Sequence, residues 1–192
     1  WQTLEYSEQV KYKHQQVSDN LERLGKVDCP HMQELLPSEH VMYYRNKLEF
    51  TFSTKQWVEN PDDAKSLQGA LGFHAPTFFD KVIDIKHCIL QDDISNQLRN
   101  HIRKYSQEKN LEYYDIRSHV GFLRGMIVRT SSTKELMLIV IFAKQSEEII
   151  PMLDNIKENF PQITSLMYCI NEKFNDSISD QEILLYSGND HI

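Results

Sequence analysis

Apolar residues recur at helical spacing in three stretches of the chain, each bounded by residues that favour helix ends. In the first stretch Val10, Val17 and Leu21 follow one helix face, and Gly25 is a typical C-terminal stop. The second stretch begins after an aspartate suited to capping and ends near Asn110. The pattern predicts helices over residues 7–25, 93–110 and 146–160.

Alternation of apolar and polar residues predicts β-strands in much of the remaining chain. Leu48, Phe50 and Phe52 point to one side of a strand within residues 43–53, so we expect that side to face a core and the other side to face solvent. Residues 136–142 are apolar on both sides, which predicts a central strand. Further strands are predicted over residues 69–74, 81–85, 122–130, 165–171 and 182–187.

The order of these elements predicts an α+β fold. A helix, three strands, a helix, two strands, a helix and two strands favour a mostly antiparallel β-sheet of about seven strands with three main helices packed on it. The three strands before residue 86 should form an antiparallel meander. We divide the chain into an N-terminal helical segment, residues 1–26, and a central α+β domain, residues 27–192.

Charge and cysteine content limit the partners and the compartment. The 192 residues carry a formal net charge of -7, which argues against general attraction to nucleic acid or to an anionic membrane, so any polyanion site must be a local patch. The three cysteines, Cys29, Cys88 and Cys169, form no C-x-x-C pair, as expected for the reducing cytoplasm. No spaced second pair of ligands accompanies them, so we predict no metal site in this chain.

The sequence offers no self-contained catalytic site. Gly69 and Gly72 lie between strand-like segments and lack the following helix that a phosphate-binding loop needs. The Asp92-Asp93 pair stands at a helix N-terminus, where capping accounts for it. A G-x-S-x-G nucleophile turn is also absent from the sequence. We therefore predict no catalytic residue in this chain.

Basic residues on the strands are the remaining candidates for a function. Arg45 and Lys47 share the solvent side of a strand, where their charges would be accessible to phosphate oxygens. A β-bulge at Gly125 would bring two further arginines to one face of another strand. The competing interpretation is an ordinary solvated face with cross-strand ion pairs, for example between Arg45 and a glutamate. The candidate RNA-binding residues are Arg45, Lys47, Lys81, Arg124 and Arg129.

Several segments resemble one enzyme family in the family's order. The most specific is YRNKLEFTF, residues 44–52, and LGFH, residues 71–74, is the next. VIDI and CIL follow at residues 82–85 and 88–90, and an arginine-bearing strand covers residues 123–129. The sequence thus resembles the RNA (uracil-5-)-methyltransferases over essentially its whole length.

This resemblance implies that the chain is the excised, RNA-contacting central domain of an enzyme that methylates 23S rRNA or tRNA. The family's Rossmann-like domain, with the S-adenosyl-L-methionine site, the cysteine nucleophile and the general base, would follow Ile192. The fragment is therefore expected to be catalytically inactive and to bind no cofactor itself. Cys88 resembles a single ligand of the 4Fe-4S cluster that many members carry. RNA is the implied partner, with no membrane and no obligate protein partner.

A second reading comes from a different class of protein. The acidic charge and the scarcity of aromatic residues interleaved with basic ones also fit a stand-alone module that binds another protein. This module would have no RNA methyltransferase activity.

Overall fold

The computed structural model describes residues 1, 3–60 and 69–192. These residues form two compact units, Trp1–Tyr44 and Arg45–Ile192. Pro61, Asp62 and Asp63 favour a turn-rich loop in the sequence, and the segment 61–68 that contains them lies outside the described residues.

The first unit contains the predicted N-terminal helix. Helix α1 spans Tyr6–Asp19 and continues as one π-helical turn, Asn20–Leu24, up to Gly25. The predicted stop at Gly25 is confirmed, whereas the helix begins at Tyr6, directly after Glu5, rather than at a Ser7 cap. No residue of α1 is buried.

The second unit is an α+β domain, which confirms the predicted fold class. Among its described residues the strands form one seven-stranded sheet, and each lies within two residues of its predicted range except at the start of β1. The elements are β1 (Lys47–Ser53), β2 (Ala70–His74), β3 (Val82–Asp84), α2 (Asp93–Glu108), β4 (Leu123–Thr130), β5 (Leu136–Phe142), α3 (Ile149–Asn159), β6 (Ser165–Ile170) and β7 (Ile183–Gly188).

The sheet has the order β3-β2-β1-β4-β5-β6-β7. All neighbouring strands are antiparallel except β5 and β6, which are parallel because α3 returns the chain between them. The predicted meander β1-β2-β3 is confirmed. Strand β5 is buried along its whole length and has a partner on both sides, as its apolar sequence predicts.

The two faces of the sheet differ in what covers them. On one face Phe50 and Leu138 belong to a core that includes Leu98 of α2 and Met152 of α3. The opposite face carries a smaller apolar cluster from the centre of the sheet, namely Ile127, Met137, Ile139, Ile141, Met167 and Cys169. Ile178 and Ile192 pack against this smaller cluster, whose own residues are all buried.

None of the helices within the described residues is both long enough and apolar enough to span a bilayer.

Candidate nucleic-acid interface

Two cations lie side by side on the sheet face opposite α2 and α3. Lys47 of β1 and Arg129 of β4 are direct partners in the antiparallel register, and both are exposed. The Lys47 Nζ lies 2.7 Å from a carboxylate oxygen of Glu49 on its own strand. Within residues 1, 3–60 and 69–192, the Arg129 guanidinium has no hydrogen bond or ion pair. Arg129 therefore presents five free donors to solvent.

Arg45 lies just before β1 and is exposed. Its backbone N–H donates to the carbonyl oxygen of Leu90 at 2.8 Å, which fixes the start of the strand. No ion pair joins the Arg45 side chain to a glutamate among the described residues, so the cross-strand pairing considered from the sequence is not formed there. The ion pair on this strand is instead the one between Lys47 and Glu49.

A groove of about 520 Å³ begins beside these cations. Lys47 and Arg129 line one part of it, and the isoleucines of the central strands, such as Ile139, line its floor. The segment 176–183, which leads into β7, forms another wall. The groove thus combines an apolar floor with a cationic margin.

Arg124 lines the same groove but is not the accessible phosphate contact expected from the sequence. The residue is only 4% exposed. Its Nη1 donates to the carbonyl oxygens of Asn171 at 2.6 Å and Lys173 at 2.5 Å, and its Nη2 donates to that of Asn175 at 2.9 Å and to the carboxylate of Asp176 at 2.8 Å. These acceptors occupy the terminal nitrogens, so Arg124 holds the 171–176 loop.

The predicted β-bulge is present. The register between β4 and β5 shifts between Leu123 and Gly125. Arg124 and Arg129 line one groove, although they stand five positions apart and strict alternation would put them on opposite faces. The bulge therefore aims Arg124 into the loop that it holds.

Lys81 is placed away from the groove. It lies in the turn before β3, and its Nζ stands 4.7 Å from the centre of the Phe78 ring. The structure thus brings Lys47 and Arg129 together, whereas Lys81 belongs to a different surface that is rich in aromatic residues.

Residues 115–121 form a turn whose functional features sequence reasoning missed. Arg117 in this turn points its Nε at Asp80, 2.5 Å away, and its guanidinium carbon lies 5.0 Å from the centre of the Phe79 ring. The hydrogen bond from Arg117 lowers the pKa of the Asp80 carboxyl, with burial acting in the opposite direction. The available signal was the pair of adjacent phenylalanines before Asp80, two large apolar residues between the strands predicted over residues 69–74 and 81–85.

The same turn carries His119, which has a positive φ of 57°. One ring nitrogen, Nδ1, lies 3.0 Å from the hydroxyl of Tyr114. The His119 ring also packs against Phe174, with ring centres 4.3 Å apart. The turn therefore places Arg117 next to Phe79 and His119 next to Phe174. The two phenylalanines belong to two other loops.

Two of the cysteines, Cys88 and Cys169, are buried. Cys88 is buried, and its backbone N–H donates to Oδ1 of Asn96 at 2.8 Å. Burial raises the pKa of the Cys169 thiol, so this group stays protonated at neutral pH. Over the part of the chain that the structure describes, His, Cys, Asp and Glu form no group of three suited to a metal ion. These residues alone do not fit a 4Fe-4S cluster, which needs four protein ligands.

Comparison with known proteins identifies relatives along the entire chain. A protein of Bacteroides thetaiotaomicron named as an RNA methyltransferase is 48% identical over 200 aligned residues, covering 100% of this chain and 44% of the relative. A protein of Porphyromonas gingivalis with the same description is 44% identical and is covered to 43% of its length. No family model matches the chain. The chain therefore spans less than half the length of these curated relatives.

A solved structure shares the fold. The crystal structure of a tRNA (uracil-54, C5)-methyltransferase of Pyrococcus abyssi, in complex with S-adenosyl-L-homocysteine, matches with a TM-score of 0.73 and 20% sequence identity. The match covers 100% of this chain and 41% of that one.

Proposed function

The chain belongs to the RNA methyltransferase family, and we propose that it is the central, RNA-contacting domain of an S-adenosyl-L-methionine-dependent RNA uracil-5-methyltransferase of the cytoplasm. The substrate of the whole protein is 23S rRNA or tRNA. The observation that carries the proposal is the exposed pair Lys47 and Arg129, fixed by strand register beside a groove, in a chain that matches RNA methyltransferases from end to end. The fold shared with a tRNA uracil methyltransferase supports the choice of base.

The proposed division of labour is based on the share of the curated relatives that this chain spans, which is less than half of their length. S-adenosyl-L-methionine supplies the methyl group, and we assign its binding, the cysteine nucleophile and the general base to a Rossmann-like domain of the whole protein. The role that we assign to this chain is RNA binding. Cys88 resembles one ligand of the family's 4Fe-4S cluster, but the described residues do not supply the four ligands that such a cluster needs.

The geometry suits phosphate binding for an electrostatic reason. Arg129 and Arg45 have no carboxylate partner among the described residues, so RNA phosphates need not displace an existing ion pair. Arg129 also lies on a paired strand, which limits its backbone freedom and the entropy lost on binding. A local cationic site of this kind is compatible with the overall charge of -7.

The test is RNA binding at several salt concentrations. Replacing Arg129 or Arg45 by alanine should weaken binding of an RNA hairpin, and each lost phosphate contact should reduce the slope of log K against log salt by about 0.7 to 0.9. Lys157→Ala is the matched control, because Lys157 is an exposed cation on α3, a helix packed on the other sheet face. Unchanged affinity and salt slope in the arginine variants would contradict the proposal and favour a protein-binding module.

A further inference from the structure

Two exposed phenylalanine rings stand beside the 115–121 turn. Phe174 is 73% exposed, and Phe79 is 61% exposed. The Phe174 ring is tilted 32° from the ring of His119, and the guanidinium of Arg117 lies over Phe79. This turn therefore places a flat polar side chain against each phenylalanine ring, Arg117 against one and His119 against the other.

Hydrogen bonds and an ion pair restrain the chain segments that carry the two phenylalanines. Arg124 donates four hydrogen bonds to the loop that carries Phe174. Asp80, which directly follows Phe79, is 5% exposed and binds Arg117. These contacts restrain the backbone on both sides of each ring, which reduces the conformational entropy that the two segments lose when a ligand binds.

The exposed rings indicate a ligand with flat apolar faces. An exposed phenylalanine forgoes roughly 1.5–3 kcal/mol of burial free energy, and two such rings lie close to one short turn. A hollow of about 190 Å³ is lined by His119 and Phe174, and it is also bordered by Glu172 and by Lys144, whose ammonium group lies 3.4 Å from Glu112. Flat exposed rings fit the faces of unpaired bases, whereas a duplex keeps its base faces stacked inside.

We infer that Phe79 and Phe174, together with Arg117 and His119, form an aromatic platform that stacks unpaired bases of the RNA. The inference rests on the proposed function and deepens it, because it specifies single-stranded RNA as the ligand. Asn171 lines both the hollow beside Phe174 and the groove beside Arg129, so these two sites adjoin the same loop.

The experiment measures the affinity of the chain for a labelled RNA of about ten nucleotides, a length within the usual range of single-strand sites. The same RNA is tested unpaired and annealed to its complement by fluorescence anisotropy. Phe174→Ala and Phe79→Ala should each weaken binding of the unpaired strand about 5- to 150-fold, the equivalent of one lost base stack. Phe174→Tyr should restore binding, since tyrosine retains a stacking face. Ile150→Ala, an exposed apolar residue on α3, is the control.

The slope of log K against log salt distinguishes a failure of this inference from a failure of the proposed function. Loss of a stacked base should leave the slope unchanged, whereas Arg129→Ala should reduce it. If the phenylalanine variants bind like the original chain while Arg129→Ala binds weakly, the platform is wrong and the RNA-contacting function stands. Equal affinity for duplex and unpaired RNA would also overturn the platform. Failure of the unaltered chain to bind any RNA would overturn both.

Discussion

Lys47 of β1 and Arg129 of β4 are direct cross-strand partners, so two positive charges face each other on one side of the sheet. Like charges in this position destabilise a strand pair. Glu49 compensates the charge of Lys47 through an ion pair. The charge of Arg129 has no such carboxylate partner among the described residues. A charge arrangement that does not favour folding is consistent with a ligand-binding role at this site.

The first prediction concerns the stability of this pair. Arg129→Ala should leave the free energy of unfolding within about 0.5 kcal/mol of the original value, because an exposed side chain without an ion pair is removed. Urea denaturation followed by circular dichroism measures the effect. A loss above about 2 kcal/mol would show that Arg129 serves the fold rather than a ligand.

The second prediction contrasts the neighbouring arginine. Arg124→Met should cost about 2–4 kcal/mol, since it leaves buried carbonyl acceptors of the 171–176 loop without their donor. The loop should also become more accessible to hydrogen exchange. Arg129→Met, the same substitution on the same strand, is the control and should be nearly neutral. Equal stability of the two variants would refute the assigned role of Arg124.

The third prediction tests the division of β1 into two faces. Phe50 is 2% exposed and stacks on Phe73 with ring centres 5.1 Å apart. Phe50→Ala should therefore destabilise the domain by about 3–5 kcal/mol through loss of burial and creation of a cavity. Lys47→Ala, on the other face of the same strand, should change stability by no more than about 0.5 kcal/mol. Thermal or urea unfolding of both variants checks the difference.

The fourth prediction is a pH dependence at Asp80. The hydrogen bond from Arg117 lowers the pKa of this carboxyl in the folded state. Its stabilising contribution is therefore complete above the unfolded pKa of about 4 and is lost as the pH falls through the lower folded value. The difference in unfolding free energy between the original chain and Asp80→Asn should be constant from about pH 5 to 7 and shrink below about pH 4.

Glu172→Gln is the control for this measurement, because Glu172 is exposed and forms no ion pair among the described residues. A difference for Asp80→Asn that stays constant down to about pH 2 would show that the carboxylate does not stabilise this loop.

The sequence by itself determined the elements of the fold. Phe50 and Phe52 alternate with polar residues, and Leu98 and Ile102 recur at helical spacing, so each pattern could be read within a few neighbouring residues. The stop at Asn110 was readable too, because asparagine tolerates the positive φ that it adopts there. These are local effects of backbone geometry and solvent exposure.

Only the tertiary structure decided which basic residues are accessible and which are engaged. Arg124 looked like Arg129 in the sequence, but its acceptors lie 47 to 52 residues away, and no local pattern records such a distance. The contacts of Arg117 with Phe79 and of His119 with Phe174 likewise join loops that are distant in the sequence and meet only in the folded structure. Strand register and loop closure bring these groups together, whereas the one-dimensional pattern fixes only the face to which each strand residue points.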